Sequence, residues 1–325
     1  ETHPGLSPND EFADYGIAGW EYGNLTLEGE PESPEMRPFM YLRGGLMNGL
    51  AQERQLGTNP FKFGMIGGTD IHNSLTAIDE DNFFGKHVSQ EPSPQRWDHV
   101  SKQGFGKTRY TWHYTAAGYA AVWATDNTRE ALWDAMKRKE VYATSGARPT
   151  VRFFGGWDFT AEDGDTRYIA NTGYAKGVPM GADLPAMRKG ASAPGFLVAA
   201  LKDPQSGNLD RIQIIKGWLD AEGQTHEKIY DVAWGDAATR KPGKDGKLPP
   251  VGDTVDVANA SWTNSIGDPD LAAVWTDPDF DASQPAFYYA RVIEIPTPRW
   301  TAYDQKRFGI KMSGEVPMKT QERAW

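Results

Sequence analysis

The chain has 325 residues, a formal net charge of −10, six histidines and no cysteine. The lack of cysteine excludes a disulfide framework, a thiolate metal site and a cysteine nucleophile, and the acidic balance argues against binding to nucleic-acid backbones. No run of about 18 apolar residues occurs, so no membrane-spanning helix is expected. The chain begins with Glu1 rather than methionine and shows no signal-peptide pattern, and we interpret it as a fragment of a longer protein or a processed chain.

Two helices and one strand are predicted before residue 150. Apolar side chains at spacings of three and four residues predict a helix over 39–56, with Gly57 as its stop. The apolar run 61–68 follows a proline and ends in two glycines, which predicts a buried strand of an α/β domain. A second helix is predicted over 119–141, with Thr128 or Asn127 as its cap. Its predicted buried stripe consists of Ala131, Leu132, Ala135 and Met136.

Beyond residue 150 the pattern changes to short, aromatic-rich strands separated by turn residues. The predicted strands are 151–154, 196–201, 211–218, 228–234, 272–275 and 286–295. Short strands with regular turn signals are typical of a β-sandwich. We therefore predict two domains, residues 1–150 and residues 151–325, the second of them β-rich and sandwich-like.

The clearest chemical signal is the segment 67–74, which reads Gly-Gly-Thr-Asp-Ile-His-Asn-Ser. Asp70 and His72 are two residues apart, so on an extended segment their side chains project to the same side. Carboxylate oxygen and imidazole nitrogen are suitable ligands for Mn²⁺, Zn²⁺ or Fe²⁺. On spacing alone, a turn in which Asp70 caps the following backbone and His72 lies at the surface is an equally good interpretation. Gly67 and Gly68 would let other backbone or a ligand approach closely.

Two further candidates lie in the long region 73–118, which has little periodicity. Lys86 can bind an anionic ester as a point charge, and His87 can contact the same substrate. The alternative is that both are solvated loop residues. His226 lies in a predicted exposed turn and is interpreted as a surface residue.

The segment 67–74 resembles the final metal-binding motif, Ser-Asp-x-His, of the PHP (polymerase and histidinol phosphatase) superfamily. The wider chain resembles the DUF3604 family of PHP-like proteins. The stretches that carry the likeness are 1–4, 6–12, 59–64, 79–86, 121–124, 129–136, 141–146 and 155–159. The likeness therefore covers nearly the whole chain.

The resemblance implies the C-terminal part of a distorted α/β barrel with two or three divalent metal ions, Mn, Zn or Fe, at its C-terminal face. It also implies a hydrolase that attacks phosphate esters with a metal-activated water, so the expected partner is a small-molecule anionic ester. Asp70 and His72 match the last two metal ligands of the superfamily, and Asp70 would accept a proton from the attacking water. Glu1 and His3 fall in a segment that usually lies near the site, and they are further candidate ligands.

The chain departs from the superfamily in one respect, because it has no early His-x-His motif. No two of its six histidines are two residues apart, so the remaining ligands are expected upstream of this chain. The alternative function is a non-catalytic extracellular ligand- or glycan-binding protein with a degenerate metal site. The resemblance suggests an exported bacterial protein, periplasmic or secreted, and leaves the oligomeric state open.

Overall fold

The computed structural model describes residues 1–13, 33–75, 78–104, 107–116, 118–244 and 246–325. Within those ranges the chain forms a mixed α/β fold in which strands outnumber helices. The helices are α1 (Arg37–Met40), α2 (Leu42–Leu56), α3 (Arg129–Lys137), α4 (Ile169–Lys176) and α5 (Trp300–Phe308). The prediction of a mixed α/β, β-rich chain is therefore confirmed.

The first predicted helix is confirmed as the pair α1 and α2, which together cover 37–56 except for Tyr41. Gly57 ends α2 as predicted. It adopts the left-handed conformation with φ of 73°, and its N–H donates to the carbonyl of Glu53. A residue without a Cβ takes this conformation without steric cost, which is why glycine so often follows a helix.

The predicted helix over 119–141 is wrong at both ends. The structure has a strand, β3 (Tyr119–Val122), then the nine-residue helix α3, then another strand, β4 (Val141–Thr144). The two strands pair antiparallel with each other, so long-range pairing overrides the local helical pattern. Of the predicted stripe only Ala135 is fully buried, and Met136 is 47% exposed, because α3 is a short surface helix.

The cap of α3 gives a direct prediction. The Thr128 side chain accepts a hydrogen bond from the backbone N–H of Ala131. Thr128→Ala should lower the free energy of unfolding by about 1 kcal/mol, because that N–H loses its partner. Urea unfolding measures the change, and Thr128→Ser, which keeps the hydroxyl, is the matched control. An equal loss in both variants would contradict the role of the cap.

The six strands predicted beyond residue 150 are confirmed. They are β5 (Thr150–Gly156), β7 (Gly195–Leu201), β8 (Leu209–Leu219), β9 (Thr225–Trp234), β10 (Asp270–Thr276) and β11 (Ala286–Glu294). The remaining strands, which are short, are β1 (Val100–Gly104), β2 (Lys107–Tyr110), β6 (Gly177–Pro179), β12 (Thr297–Pro298), β13 (Lys319–Thr320) and β14 (Arg323–Ala324).

Two antiparallel sheets hold most of these strands. The four-stranded sheet has the order β10-β7-β5-β6, and the six-stranded sheet has the order β3-β4-β14-β11-β8-β9. Apolar side chains of both sheets pack into one core, for example Phe153 and Val198 from the first and Ile212 and Val292 from the second. This packing of one sheet on the other is the sandwich-like arrangement expected of the β-rich part.

The predicted strand over 61–68 is absent. The segment is extended, but only its end bonds to the sheet, where Gly67 N–H donates to the Tyr119 carbonyl and Gly118 N–H donates to the Gly68 carbonyl. Its side chains are not buried on both faces, since Ile66 is 61% exposed. Among the described residues the strands form open antiparallel sheets and no closed barrel.

The predicted boundary at residue 150 falls between β4 and β5, which belong to different sheets. The six-stranded sheet itself takes β3 and β4 from before that point and its other four strands from after it. Helix α2 also packs on β8. The division into domains 1–150 and 151–325 remains a prediction.

Candidate functional site

The Asp–His pair lies just beyond the extended segment 61–69. Asp70 adopts a left-handed backbone conformation with φ of 47°, and His72 Nε2 lies 3.2 Å from Asp70 Oδ1. The Asp70 and His72 side chains are 70% and 53% exposed. The two side chains therefore meet, and they do so at the surface.

The loop around residue 86 brings the two other candidates to this pair. The Lys86 ammonium forms an ion pair with Asp70 Oδ2, and the backbone N–H of His72 donates to the Lys86 carbonyl over 2.7 Å. The rings of His72 and His87 lie 4.7 Å apart. The loop is held by the Gln90 side chain, whose oxygen accepts from the N–H groups of Lys86 and His87.

The charges within this Asp–His–Lys cluster, defined as Asp70, His72, Lys86 and His87, influence one another. The hydrogen bond from Lys86 is the main influence that lowers the pKa of Asp70; burial opposes it, and the charge of Lys86 and the neighbouring His72 lower the pKa further. Partial burial, assisted by the nearby His72 and Lys86, lowers the pKa of His87. The cluster thus favours an ionised carboxylate beside a neutral His87 imidazole.

A cavity of about 370 Å³ opens beside the cluster. Asp70 and Lys86 belong to its wall, as does Glu1, together with aromatic side chains that include Tyr114 and Trp325. Lys86 also lies 5.8 Å from the centre of the Tyr114 ring, a cation–π distance. A carboxylate and an ammonium therefore stand at the edge of a space large enough for a small molecule.

Glu1 reaches this cavity, but its carboxylate is occupied by neighbours. It forms ion pairs with Arg43 and Arg291 at 2.5 and 3.0 Å and accepts hydrogen bonds from Tyr289 and Trp325. Burial acts to raise the pKa of Glu1, but Arg291 and Arg43 together hold it well below its ordinary value. Glu1 is thus the counter-ion of two arginines in this structure.

His3 lies apart from the Asp–His–Lys cluster. Its Nδ1 accepts a hydrogen bond from the backbone N–H of Gly5, and its ring lies 5.4 Å from that of Tyr41. Among the described residues no hydrogen bond, ion pair or ring contact links His3 to Asp70 or His72. The structure therefore brings together four of the six predicted site residues, places Glu1 across the cavity and leaves His3 outside.

A buried charge cluster under the cavity was not predicted from the sequence. Arg291 is fully buried and makes two ion-paired hydrogen bonds to Asp10, at 2.9 and 3.0 Å, while Arg43 binds the same carboxylate at 2.8 Å. A signal was present in the sequence, because Arg291 lies inside the largely apolar strand 286–295. The members of the cluster are Glu1, Asp10, Arg43, Gln213, Tyr289 and Arg291.

Gly67 and Gly68 differ in what surrounds them. A Cβ on Gly67 would lie 2.5 Å from the Tyr119 carbonyl oxygen and 2.7 Å from that of Thr144, whereas a Cβ on Gly68 would meet nothing within 4 Å. The expected close approach of backbone therefore occurs at Gly67, which lets the segment before Asp70 lie against β3 and β4.

This difference predicts that replacement by alanine lowers protein stability more at Gly67 than at Gly68. Gly67→Ala should destabilise the protein by about 1–3 kcal/mol, because the new methyl group overlaps with fixed backbone atoms. Gly68→Ala should stay within about 0.5 kcal/mol of the wild type. Thermal unfolding of the two variants provides the comparison, and equal stabilities would contradict the close approach.

Buried carboxyl groups lie close to the cavity wall. Ser145, a wall residue, donates a hydrogen bond to Glu322, and Ser206 donates one to Glu294, which is 1% exposed. Burial is the main cause that raises the pKa of Glu294 to about 8, and repulsion by Glu322 adds to it. Burial, with the same neighbour, raises the pKa of Glu80 to about 8.

Protein stability should therefore fall as the pH rises from about 4.5 to about 8. In that window the folded chain keeps a proton on Glu294 that the unfolded chain has released, so rising pH favours unfolding. Glu294→Gln, which cannot ionise, should reduce the slope by at most about 1.4 kcal/mol per pH unit. Urea unfolding across this range measures it, with the exposed Glu91→Gln as control. A slope unchanged by Glu294→Gln would refute the assignment.

The donor chemistry at Asp70 and His72 fits part of a divalent-metal site. One carboxylate and one imidazole meet there, with the His87 ring next to them, and oxygen and nitrogen donors of this kind suit Mn²⁺, Zn²⁺ or Fe²⁺. Within the described ranges no group of three or more histidine, aspartate or glutamate side chains is arranged to hold one ion. A complete site would need at least one further ligand.

The fold and site define a class: a β-rich α/β protein with an exposed carboxylate, imidazole and lysine cluster beside a small cavity. The chain belongs to the DUF3604 family, described as proteins of unknown function, whose model matches residues 1–325. No curated protein matches the chain, and no solved structure does. In the described part of the chain, no helix has the length and apolar character needed to cross a membrane.

Proposed function

We propose that this chain is part of a metal-dependent hydrolase of phosphate esters, of the PHP type suggested by the motif at 67–74. The observation that carries the proposal is the meeting of Asp70, His72 and Lys86 at the edge of the 370 Å³ cavity. These three side chains combine two metal-ligand types with a cation that can bind an anionic ester.

In this proposal Asp70 and His72 bind the divalent cation, Mn²⁺, Zn²⁺ or Fe²⁺, and His87 stands next to them. When bound, the cation supplies a water of lowered pKa and neutralises charge on the ester oxygens. Asp70 accepts the proton of the attacking water through its carboxylate. Lys86 holds Asp70 in position through the ion pair and offers its remaining N–H donors to the anionic ester.

The finer fold assignment belongs to the same proposal. The extended segment 61–69 would stand at the position of the last strand of a PHP-type barrel, with Asp70 and His72 at its C-terminal end. The remaining ligands, including a His-x-His pair, would come from sequence upstream of this chain. A periplasmic or secreted location is proposed from the same resemblance.

The proposal is tested by assaying the full chain, including any upstream sequence, against a panel of phosphate and sulfate esters with Mn²⁺, Zn²⁺ or Fe²⁺. Metal binding measured by calorimetry and turnover of an aryl phosphate are the expected results. Metal binding without hydrolysis of any ester would overturn the enzymatic function.

One observation favours a second candidate, a non-catalytic ligand- or glycan-binding protein with a degenerate metal site. Lys86 occupies one oxygen of the Asp70 carboxylate, the oxygen that a second cation contact would need. This candidate predicts glycan binding by the full chain, measured on an array, without hydrolysis and without a requirement for a divalent cation.

A further inference from the structure

A second cavity, of about 570 Å³, lies between the two sheets of the sandwich. We call it the inter-sheet cavity. Its walls come from β4 and β11 of one sheet and from β5, β6 and β7 of the other, and one side is closed by α2 and the segment 61–65. Leu46, Leu50 and Glu53 line it from α2 at the i, i+4 and i+7 positions, which form one face of a helix.

The walls are mostly carbon. All five residues of the segment 61–65 line the cavity, and three of them, Phe61, Phe63 and Met65, are apolar. Deeper walls are core residues, such as Phe153 and Phe196, which are 8% and 3% exposed. The cavity is open to solvent on one side, so it is not a sealed core void of the kind that protein interiors avoid. A space of this volume is instead typical of a small-molecule site.

Charged groups are confined to the solvent-facing side of the cavity. Among the described wall residues they are Glu53, Lys62, Lys139 and Asp183. Lys62 Nζ lies 3.0 Å from Asp183 Oδ2 and 3.7 Å from Glu53 Oε1, and Lys139 donates to the Lys62 carbonyl over 3.1 Å. Two positive and two negative charges cancel, so an ionised ligand gains no net attraction at this rim and would disturb existing pairs.

We propose that the inter-sheet cavity binds one neutral, apolar small molecule, an aliphatic or aromatic alcohol whose hydroxyl lies at the charged rim. The apolar walls take the body of the ligand, and the balanced rim selects the neutral compound over its acid or amine analogues. The site is separate from the Asp–His–Lys cluster, although Trp325 contributes to the walls of both cavities. It does not depend on the proposed hydrolase function.

The test compares decanol, decanoate and decylamine as probes of the full chain. Decanol should bind at one molecule per chain by calorimetry and should raise the Tm, because it binds only the folded state. Decanoate and decylamine should bind at least about tenfold more weakly. No decanol binding, equal binding of the three probes, or tightest binding of either ionised probe would overturn the proposal.

A substitution that fills the inter-sheet cavity tests whether decanol binds there. Leu46→Trp places an indole in the cavity and should weaken decanol binding at least about tenfold, with circular dichroism as in the wild type. Leu42→Trp is the matched control one turn earlier, because Leu42 is 43% exposed and is not a wall residue. Unchanged decanol binding in Leu46→Trp would overturn the proposal. The proposal would also be overturned if the wild-type chain is a dimer that Leu46→Trp dissociates, since a second copy of the chain would then fill the cavity. The probe comparison on the wild-type chain decides the matter even if Leu46→Trp fails to fold.

Discussion

Replacing Asp70 with Asn is expected to slow phosphate-ester hydrolysis by at least about 100-fold, the effect typical of removing a general base. Asn keeps the shape of the side chain but carries no charge. The variant therefore loses both the ion pair with Lys86 and the carboxylate that a divalent cation needs. Initial rates with an aryl phosphate and Mn²⁺, measured on the full chain, show the loss, and calorimetry should show weaker Mn²⁺ binding.

The chain contains its own control for this experiment. Asp220 Oδ2 lies 2.6 Å from His226 Nε2, so a second Asp–His pair exists, with Asp220 in the turn after β8. His226 lies in β9 rather than in the predicted turn, and its side chain is 43% exposed. Neither residue lines either of the two cavities. Asp220→Asn should leave hydrolysis and Mn²⁺ binding unchanged. If Asp70→Asn keeps the wild-type rate, or if both variants lose it equally, Asp70 does not have the proposed role.

Replacing Arg291 with Met should lower the free energy of unfolding by about 3–5 kcal/mol. Arg291 is fully buried, and its removal leaves Asp10 and the Gln213 side-chain oxygen without their main donors. Asp10 keeps its contact with Arg43, but the loss of two of its charged hydrogen bonds leaves much of its cost of desolvation uncompensated. Since folded proteins are typically stable by about 5–15 kcal/mol, the variant should still fold, and urea unfolding measures the difference.

Lys62→Met provides the matched comparison. Lys62 also pairs with two carboxylates, but its side chain is 41% exposed, and exposed ion pairs contribute at most about 1 kcal/mol. A loss in Arg291→Met as small as that in Lys62→Met would mean that the buried charge cluster contributes little to stability. A loss of several kcal/mol only in Arg291→Met would establish that burial sets the strength of these pairs.

The sequence predicted correctly the helices and strands that are defined by short-range apolar spacing and by turn residues. The helix over 39–56 followed from apolar spacing and from Gly57, and the structure agrees to within two residues at its start. The six strands beyond residue 150 followed from short apolar runs between turns, and all six are present. Their agreement reflects near-continuous burial of the central strands, since β8 is buried at every position except Trp218.

Secondary-structure predictions from local patterns were wrong where contact with distant segments determines the structure. Residues 119–122 and Val141 were predicted as the two ends of one helix. They belong instead to β3 and β4, which pair with each other, and β4 also pairs with β14 at the end of the chain. The run 61–68 resembled a buried strand, yet its residues 61–65 line a cavity. In both cases the missing information was which other segment would lie alongside.

The contacts of the candidate site were likewise predicted only in part from the sequence. Spacing alone left two interpretations open, a shared side of an extended segment or a turn with His72 at the surface. In the structure the two side chains meet, but Asp70 has a left-handed backbone with φ of 47° and His72 is 53% exposed. No local pattern indicated that Lys86 would pair with Asp70 across sixteen residues of sequence, or that Arg43 and Arg291 would share Asp10. Contacts of this kind depend on loop closure and sheet register, which short-range periodicity does not encode.

The sequence by itself determined a cysteine-free, acidic chain with a β-rich second half and an Asp-x-His segment with metal-ligand chemistry. Only the tertiary structure decided that this segment adjoins Lys86, His87 and a 370 Å³ cavity. It also decided that Glu1 and Asp10 together pair with two buried arginines, and that a second, largely apolar space lies between the two sheets. The physical reason is that composition and periodicity specify which side chains are buried, whereas the packing of distant segments specifies which of them face one another.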